Sequence, residues 1–195
     1  MGLRPGHGLV VGSHVGLTTR KIAAARTLGG LTEIELDVPA VIDPVRRDAR
    51  IAATVDPVRA ALRRSDVLLC TSRTLARDLD ATTILDVARA VSAALVDVVS
   101  AVRAARPAWV VTKGGITSHD IAVRGLQVRR AEVVGQVLPG MISILRPVDA
   151  APEAIGMPYV VFAGNVGDDG SLAHVIDLLR RTHAAGDDIK ERPTS

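Results

Sequence analysis

Aromatic side chains are almost missing from this sequence: one Trp, one Tyr and one Phe stand in 195 residues. Proteins that grip single-stranded nucleic acid stack bases on aromatic platforms, so the composition argues against that class. Cysteine is just as scarce. The single Cys70 lies in the apolar run Val67-Leu68-Leu69-Cys70 and has no partner for an intrachain disulfide. It fits a reducing cytoplasm and reads as a small buried hydrophobe in preference to a catalytic thiol. No stretch approaches the ~18 uninterrupted apolar residues of a membrane span, and the opening MGLRPGHG lacks the apolar segment of a secretory signal. Clustered charge of one sign is absent too: 24 Lys and Arg against 21 Asp and Glu leave a net +3, scattered along the chain. That is no nucleic-acid footprint. The expectation is a cytoplasmic protein that engages neither nucleic acid nor membrane.

Familiar catalytic signatures are missing as well. A Walker A loop places its lysine after the glycines, whereas Lys113 precedes Gly114-Gly115. The dinucleotide pattern Gly-x-Gly-x-x-Gly follows none of the candidate strands. In Gly12-Ser13-His14-Val15-Gly16 the serine is displaced by one position from that of a nucleophile elbow. Ser118-His119-Asp120 is no triad, because neighbouring side chains on a helix diverge by about 100°. His14 and His119 stand far apart with no carboxylate or cysteine at ligand spacing, so no metal site is assigned.

What is there is aliphatic. Apolar residues make up 48% of the chain and are chiefly Ala, Val, Leu and Ile, which suits buried strands alternating with Ala-rich helices. Strands are expected at Gly8–Val11, Leu31–Leu36, Val67–Thr71, Trp109–Val111, Arg130–Val137, Met141–Leu145 and Tyr159–Phe162. A helix opens near Leu17 and ends at Gly29-Gly30. Asp43-Pro44 and Asp56-Pro57 each read as the start of a short helix, with Asp capping and Pro in the first turn. From Asp80 to Arg106 a long helix carries Ile84, Val87, Val91, Leu95, Val98 and Val102 as an apolar stripe, with Asp86, Arg89, Asp97 and Arg103 solvated. Pro147–Gly156 reads as a loop, and a last helix runs from Ser171 to about Thr182. Strands alternating with helices give an α/β layered fold with a largely parallel sheet flanked by helices. One domain is expected over residues 1–186, with a disordered tail at 187–195.

Three small-residue turns directly follow strands: Gly12-Ser13, Gly114-Gly115 and Gly164-Asn165. In a parallel sheet they would share the edge at which ligands bind, and the amides of helix starts suit phosphate oxygens. The focus is Trp109–Ala122, WVVTKGGITSHDIA, a strand, a glycine turn and a helix start in which Thr117 and Ser118 read as cap hydroxyls. Four other side chains carry two readings each. Asp168 and Asp169 cap a helix or approach a nucleotide-bound Mg²⁺. Arg20 and Lys113 are ordinary solvated or strand-end cations, or phosphate partners.

Four segments in order, VVGSHVGLTTRKIA (10–23), VTKGGITSHDIA (111–122), GQVLPG (135–140) and MPYVVFAGNVGDDGSL (157–172), resemble the C-terminal nucleotide-binding domain of the four-carbon acid sugar kinases. The resemblance implies an ATP-dependent enzyme acting on threonate, erythronate or oxo-tetronate type acids. It implies ATP held by Ser13, by Gly114, Gly115, Ile116, Thr117 and Ser118, and by Gly164, Asn165 and Gly167, with Mg²⁺ accompanying the nucleotide. The sugar acid and the general base would belong to an N-terminal substrate domain or separate subunit that this sequence does not contain. A non-catalytic remnant or regulatory nucleotide-binding module is the alternative. Where many members of that family carry Lys-Ser-Gly-Asn or Phe-Pro-Gly-Asn, this sequence has Phe162-Ala163-Gly164-Asn165, and Ala163 supplies neither a charge nor a hydroxyl to a phosphate.

Overall fold

A computed structural model describes residues 7–12, 19–72, 81–138, 142–162 and 166–188. Seven strands, β1 (Leu9–Gly12), β2 (Leu31–Leu36), β3 (Asp66–Thr71), β4 (Val110–Lys113), β5 (Arg130–Leu138), β6 (Ile142–Asp149) and β7 (Tyr159–Phe162), form one sheet in the order β2-β3-β1-β4-β7-β6-β5. The first five in that order run parallel; β6 and β5 add an antiparallel hairpin at one edge. This is the expected largely parallel α/β sheet.

The central strands are buried on both faces, and alternation sends successive side chains into two separate cores. Leu9, Val11, Val67, Leu69 and Val110 pack under α2 (Val38–Ile42), α3 (Arg47–Ala61) and α4 (Ala81–Val102). Val10, Leu68, Cys70, Val111, Val160 and Phe162 pack under α1 (Thr19–Arg26) and α6 (Ser171–Asp188). A short helix α5 (Gly115–Asp120), continued as a π-helical turn over Ile121–Gly125, lies beside α4.

Both Asp-Pro readings are corrected. Asp43 makes a turn between α2 and α3: its carboxylate accepts from the amide of Val45, 2.9 Å away, and from the Arg46 guanidinium at 2.6 Å. Pro57 sits inside α3. It falls on the solvent side, where the carbonyl it leaves unbonded can meet water, while Thr54, Val55, Val58 and Ala61 bury the opposite face. The stripe of α4 is buried from Val87 to Val102, but Ile84 remains 49% exposed. Asp97 and Arg103 are not simply solvated either, since Arg47 pairs with Asp97 and Arg103 with Glu153. Strand β6 continues through Pro147 to Asp149, into the stretch read as a loop, because Pro147 lies opposite Ala131 in the hairpin. Helix α6 reaches Asp188, beyond Thr182, near which the sequence reading ends it.

Candidate functional site

Register fixes where the glycine turns go. Gly12 is level with Lys113, and Lys113 with Phe162, so the parallel strands β1, β4 and β7 end side by side. Their carboxyl ends share one edge of the sheet. From β1 the chain passes to α1 on one face, and from β4 to α5 on the other. The boundary between β1 and β4 is therefore a switch point, the place where an open parallel sheet presents a crevice.

The turn after β4 is built around Gly114, whose φ of 105° and ψ of 138° suit glycine alone. Its N–H bonds the carbonyl of Phe162 at 3.1 Å, tying the turn to β7. Gly114 takes the cap position, so the amides of Gly115, Ile116 and Thr117 form the first turn of α5, where no intrahelical acceptor exists for them. Gly115 needs no unusual φ, and a Cβ added there would meet nothing within 4 Å. Among the described residues no packing accounts for glycine at this position, whereas close approach of a ligand to the main chain would. Ile116 is 69% exposed.

Thr117 and Ser118 do not cap the helix. Ser118 is buried in the first turn, and its hydroxyl donates back to the carbonyls of Gly114 at 2.5 Å and Thr112 at 3.3 Å. The Tyr159 hydroxyl donates to the Ser118 carbonyl at 2.6 Å and accepts from Thr112 Oγ1 at 3.0 Å. Burial pushes the Tyr159 phenol well above its usual range, so it stays a donor. Ser118 thus shapes the turn from inside. His119 is exposed and Asp120 accepts from Ser92 at 2.7 Å, which disposes of the apparent triad.

Residues 167–169, which lead into α6, are each held by internal contacts. Gly167 has φ 74°, and a Cβ there would come within 2.4 Å of Ser171 Oγ, so glycine is required on internal grounds. Asp168 caps α6, accepting from Ser171 Oγ at 2.6 Å and from the Gly170 amide at 3.1 Å. The Ser171 hydroxyl, and then the backbone amides, hold its carboxyl below the usual range. Asp169 pairs with Arg20 of α1 at 2.9 Å on the surface. Both acids therefore have structural employment. Ser13, His14, Ala163, Gly164 and Asn165 lie outside the described residues.

Two cations approach one another here: Lys113, read from sequence as a strand-end cation or a phosphate partner, and Lys21, to which the sequence reading gave no role. Lys21 of α1 is buried; its Nζ donates to the carbonyls of Val166 at 3.1 Å and Gly167 at 3.2 Å and lies 5.5 Å from the Phe162 ring centroid. Lys113, fully buried at the end of β4, puts its Nζ 4.0 Å from the same centroid. Desolvation first, and then the neighbouring Lys21 ammonium, push Lys113 down to about 8. A signal for each was present. Lys21 shares its helical stripe with Ala25 and Leu28, and Lys113 shares strand parity with buried Val111.

A separate groove of about 480 Å³ between α3 and α4 is lined by Arg47, Ile51, Val55 and Asp97. Its charged pair is internally matched, and the glycine turns contribute nothing to it.

Comparison with protein families gives a match over residues 9–172 to a model for a nucleotide-binding C-terminal domain. Solved structures with the same fold include a domain of unknown function from Bordetella bronchiseptica, a domain-swapped dimer with bound citrate (TM-score 0.68, 21% identity, 90% of this chain and 41% of that one). A Salmonella typhimurium LT2 protein provisionally named a tRNA synthase gives a TM-score of 0.69 at 16% identity, over 88% of this chain and 40% of its own. A Haemophilus influenzae protein of that same domain-of-unknown-function family gives 0.64 at 17%, over 92% and 42%. The chain thus spans about two fifths of the length of these neighbours. Comparison with curated proteins gives no match.

Proposed function

The chain belongs to the nucleotide-binding C-terminal domain family, and from that premise we propose that it holds the phosphates of ATP across the ends of β1, β4 and β7. The observation that carries this reading is the Gly114-Gly115 turn. First-turn amides of α5 stand at the switch point, beside a glycine that no described residue packs against. The residues put forward are Ser13, Gly114, Gly115, Ile116 and Thr117, with Gly164, Asn165 and Gly167 from the third turn. Ser118 supports the turn through its backbone contacts. Positive charge at Lys21 and Lys113 lies beneath, on the side from which it would favour an anion.

The resemblance to the four-carbon acid sugar kinases extends the proposal to a reaction. ATP supplies the phosphoryl group, Mg²⁺ accompanies it, and the acceptor hydroxyl belongs to a sugar acid held by a substrate domain outside this sequence. Phosphoryl transfer rests chiefly on positioning and charge stabilisation, and this chain's part would be to fix the triphosphate and offset its charge. The neighbours' greater length is in keeping with such a two-part enzyme.

Titration calorimetry with Mg·ATP tests the binding claim. The native chain is expected to give saturable heat. Gly115→Val, whose side chain has open space in the unliganded fold, should keep the native melting temperature while weakening binding at least about tenfold, or roughly 1.4 kcal/mol. Equal affinities in the two proteins, or no heat from the native one, would remove the reading. Phosphorylation of a sugar acid on addition of a substrate domain would mark an active half. Binding without turnover would mark a regulatory or remnant module.

A further inference from the structure

We infer that the Lys21–Lys113 pair is the charge-sensing floor of this site, and that arrival of a polyphosphate is coupled to uptake of a proton by Lys113. The inference rests on the nucleotide reading above and concerns how that same site works. Its basis is geometric. Two lysine ammonium groups approach one phenyl ring, at 4.0 and 5.5 Å from its centroid, at the level where β4 and β7 end. Lys21 is anchored by the Val166 and Gly167 carbonyls, so it cannot swing away from Lys113 without releasing the turn after β7.

Among the described residues, the charged groups on the surrounding elements are Arg20 and Lys21 on α1, and Asp168 and Asp169 on the turn before α6. Arg20 and Asp169 pair with one another, and Asp168 is engaged by Ser171 and Gly170. Burial first, and then the charge of Lys21, leave Lys113 partly neutral near pH 8. A multiply charged anion placed above the pair favours the ammonium form and raises its proton affinity. A dianion or polyanion is therefore selected over a monoanion, and near pH 8 and above the pair carries less than two full positive charges until the anion arrives.

The balance is simple: one proton moves from solvent to Lys113 Nζ, and no bond to the nucleotide forms or breaks. Affinity must then fall as pH rises above the unliganded value, by up to about tenfold per pH unit. The terminal phosphate cannot supply this behaviour, because a phosphate's second ionisation lies near pH 6 and is complete at pH 8.

Calorimetry with Mg·ATP at pH 8, in Tris and in HEPES, reads the proton count from the difference in heat between buffers. About half a proton per nucleotide is expected at pH 8, rising toward one at pH 9. Lys113→Met and Lys113→Arg should both bring the count close to zero, and the arginine variant should bind with a flat pH profile from 8 to 9.5. A lysine serving only as packing would leave the native protein's heats independent of buffer, and that result overturns the inference by itself. So does proton uptake that survives in a folded Lys113→Arg protein. Binding without buffer dependence would sink this inference and leave the nucleotide site standing; no binding at any pH removes both.

Discussion

Tyr159 is the chain's one tyrosine, and its hydroxyl joins β4 to the glycine turn through Thr112 and the Ser118 carbonyl. Replacing it with phenylalanine keeps the ring and strips one buried carbonyl of its donor, which should cost about 1–2 kcal/mol, measured as a lower denaturant midpoint. Because the lost bond is what seats Ser118, nucleotide affinity should fall with it. A variant that loses stability but binds normally would show that the turn holds itself. At this scale the sequence was readable in part. Gly114 and Gly115 announced a turn in their own right, since only glycine meets the backbone demand at Gly114. The inward reach of Ser118, Lys21 and Lys113 was harder to read, because a hydroxyl or an ammonium in a short polar stretch looks solvated until the packing of the next element covers it. Cys70 was read correctly: burial, with Glu33 and Glu35 nearby, pushes its thiol up to about 11, leaving it inert at neutral pH.

Elements were legible where periodicity and end signals agreed. Strands β2 and β7 follow the sequence boundaries because the alternation of β2 lies between Gly30 and Asp37, and the apolar run of β7 starts after Pro158 and stops before Ala163-Gly164. The Asp-Pro pairs misled because the same dipeptide serves a helix start, a turn or, when the face is exposed, a tolerated interruption. In α3 the burial of Thr54, Val55, Val58 and Ala61 outweighs the missing Pro57 amide. A consequence follows for engineering. Pro57→Ala restores a donor in the middle of a helix at an exposed position, and should stabilise the protein by about 1–2 kcal/mol once the entropy that proline removes from the unfolded chain is deducted. A higher melting temperature with unchanged nucleotide binding checks this. A decrease would mean that the helix is held in a proline-dependent bend.

Over the whole molecule, the two ends of the parallel strands have different duties. The carboxyl ends present the turns discussed above, whereas the amino ends are closed by a buried carboxylate. Asp66 opens β3, accepts from the Gly8 amide and Arg180 Nε, each at 2.6 Å, and faces His7 at 3.6 Å. Arg180 comes from α6 and also donates to the carbonyls of Gly29 and Gly30, so one guanidinium links the last helix, the turn before β2 and the centre of the sheet. Removing it leaves a carboxylate that is 4% exposed without its cation, a loss worth roughly 3 kcal/mol or more. Arg180→Met should accordingly lower the denaturant midpoint strongly. Yet the strand register that aligns Gly12, Lys113 and Phe162 is set by backbone pairing several residues away, so at temperatures where the variant is folded its affinity for Mg·ATP should match the native value within about twofold, or roughly 0.4 kcal/mol. If affinity fell in proportion to stability, the sheet would be transmitting strain from one edge to the other, and the separation between a stabilising end and a binding end would fail.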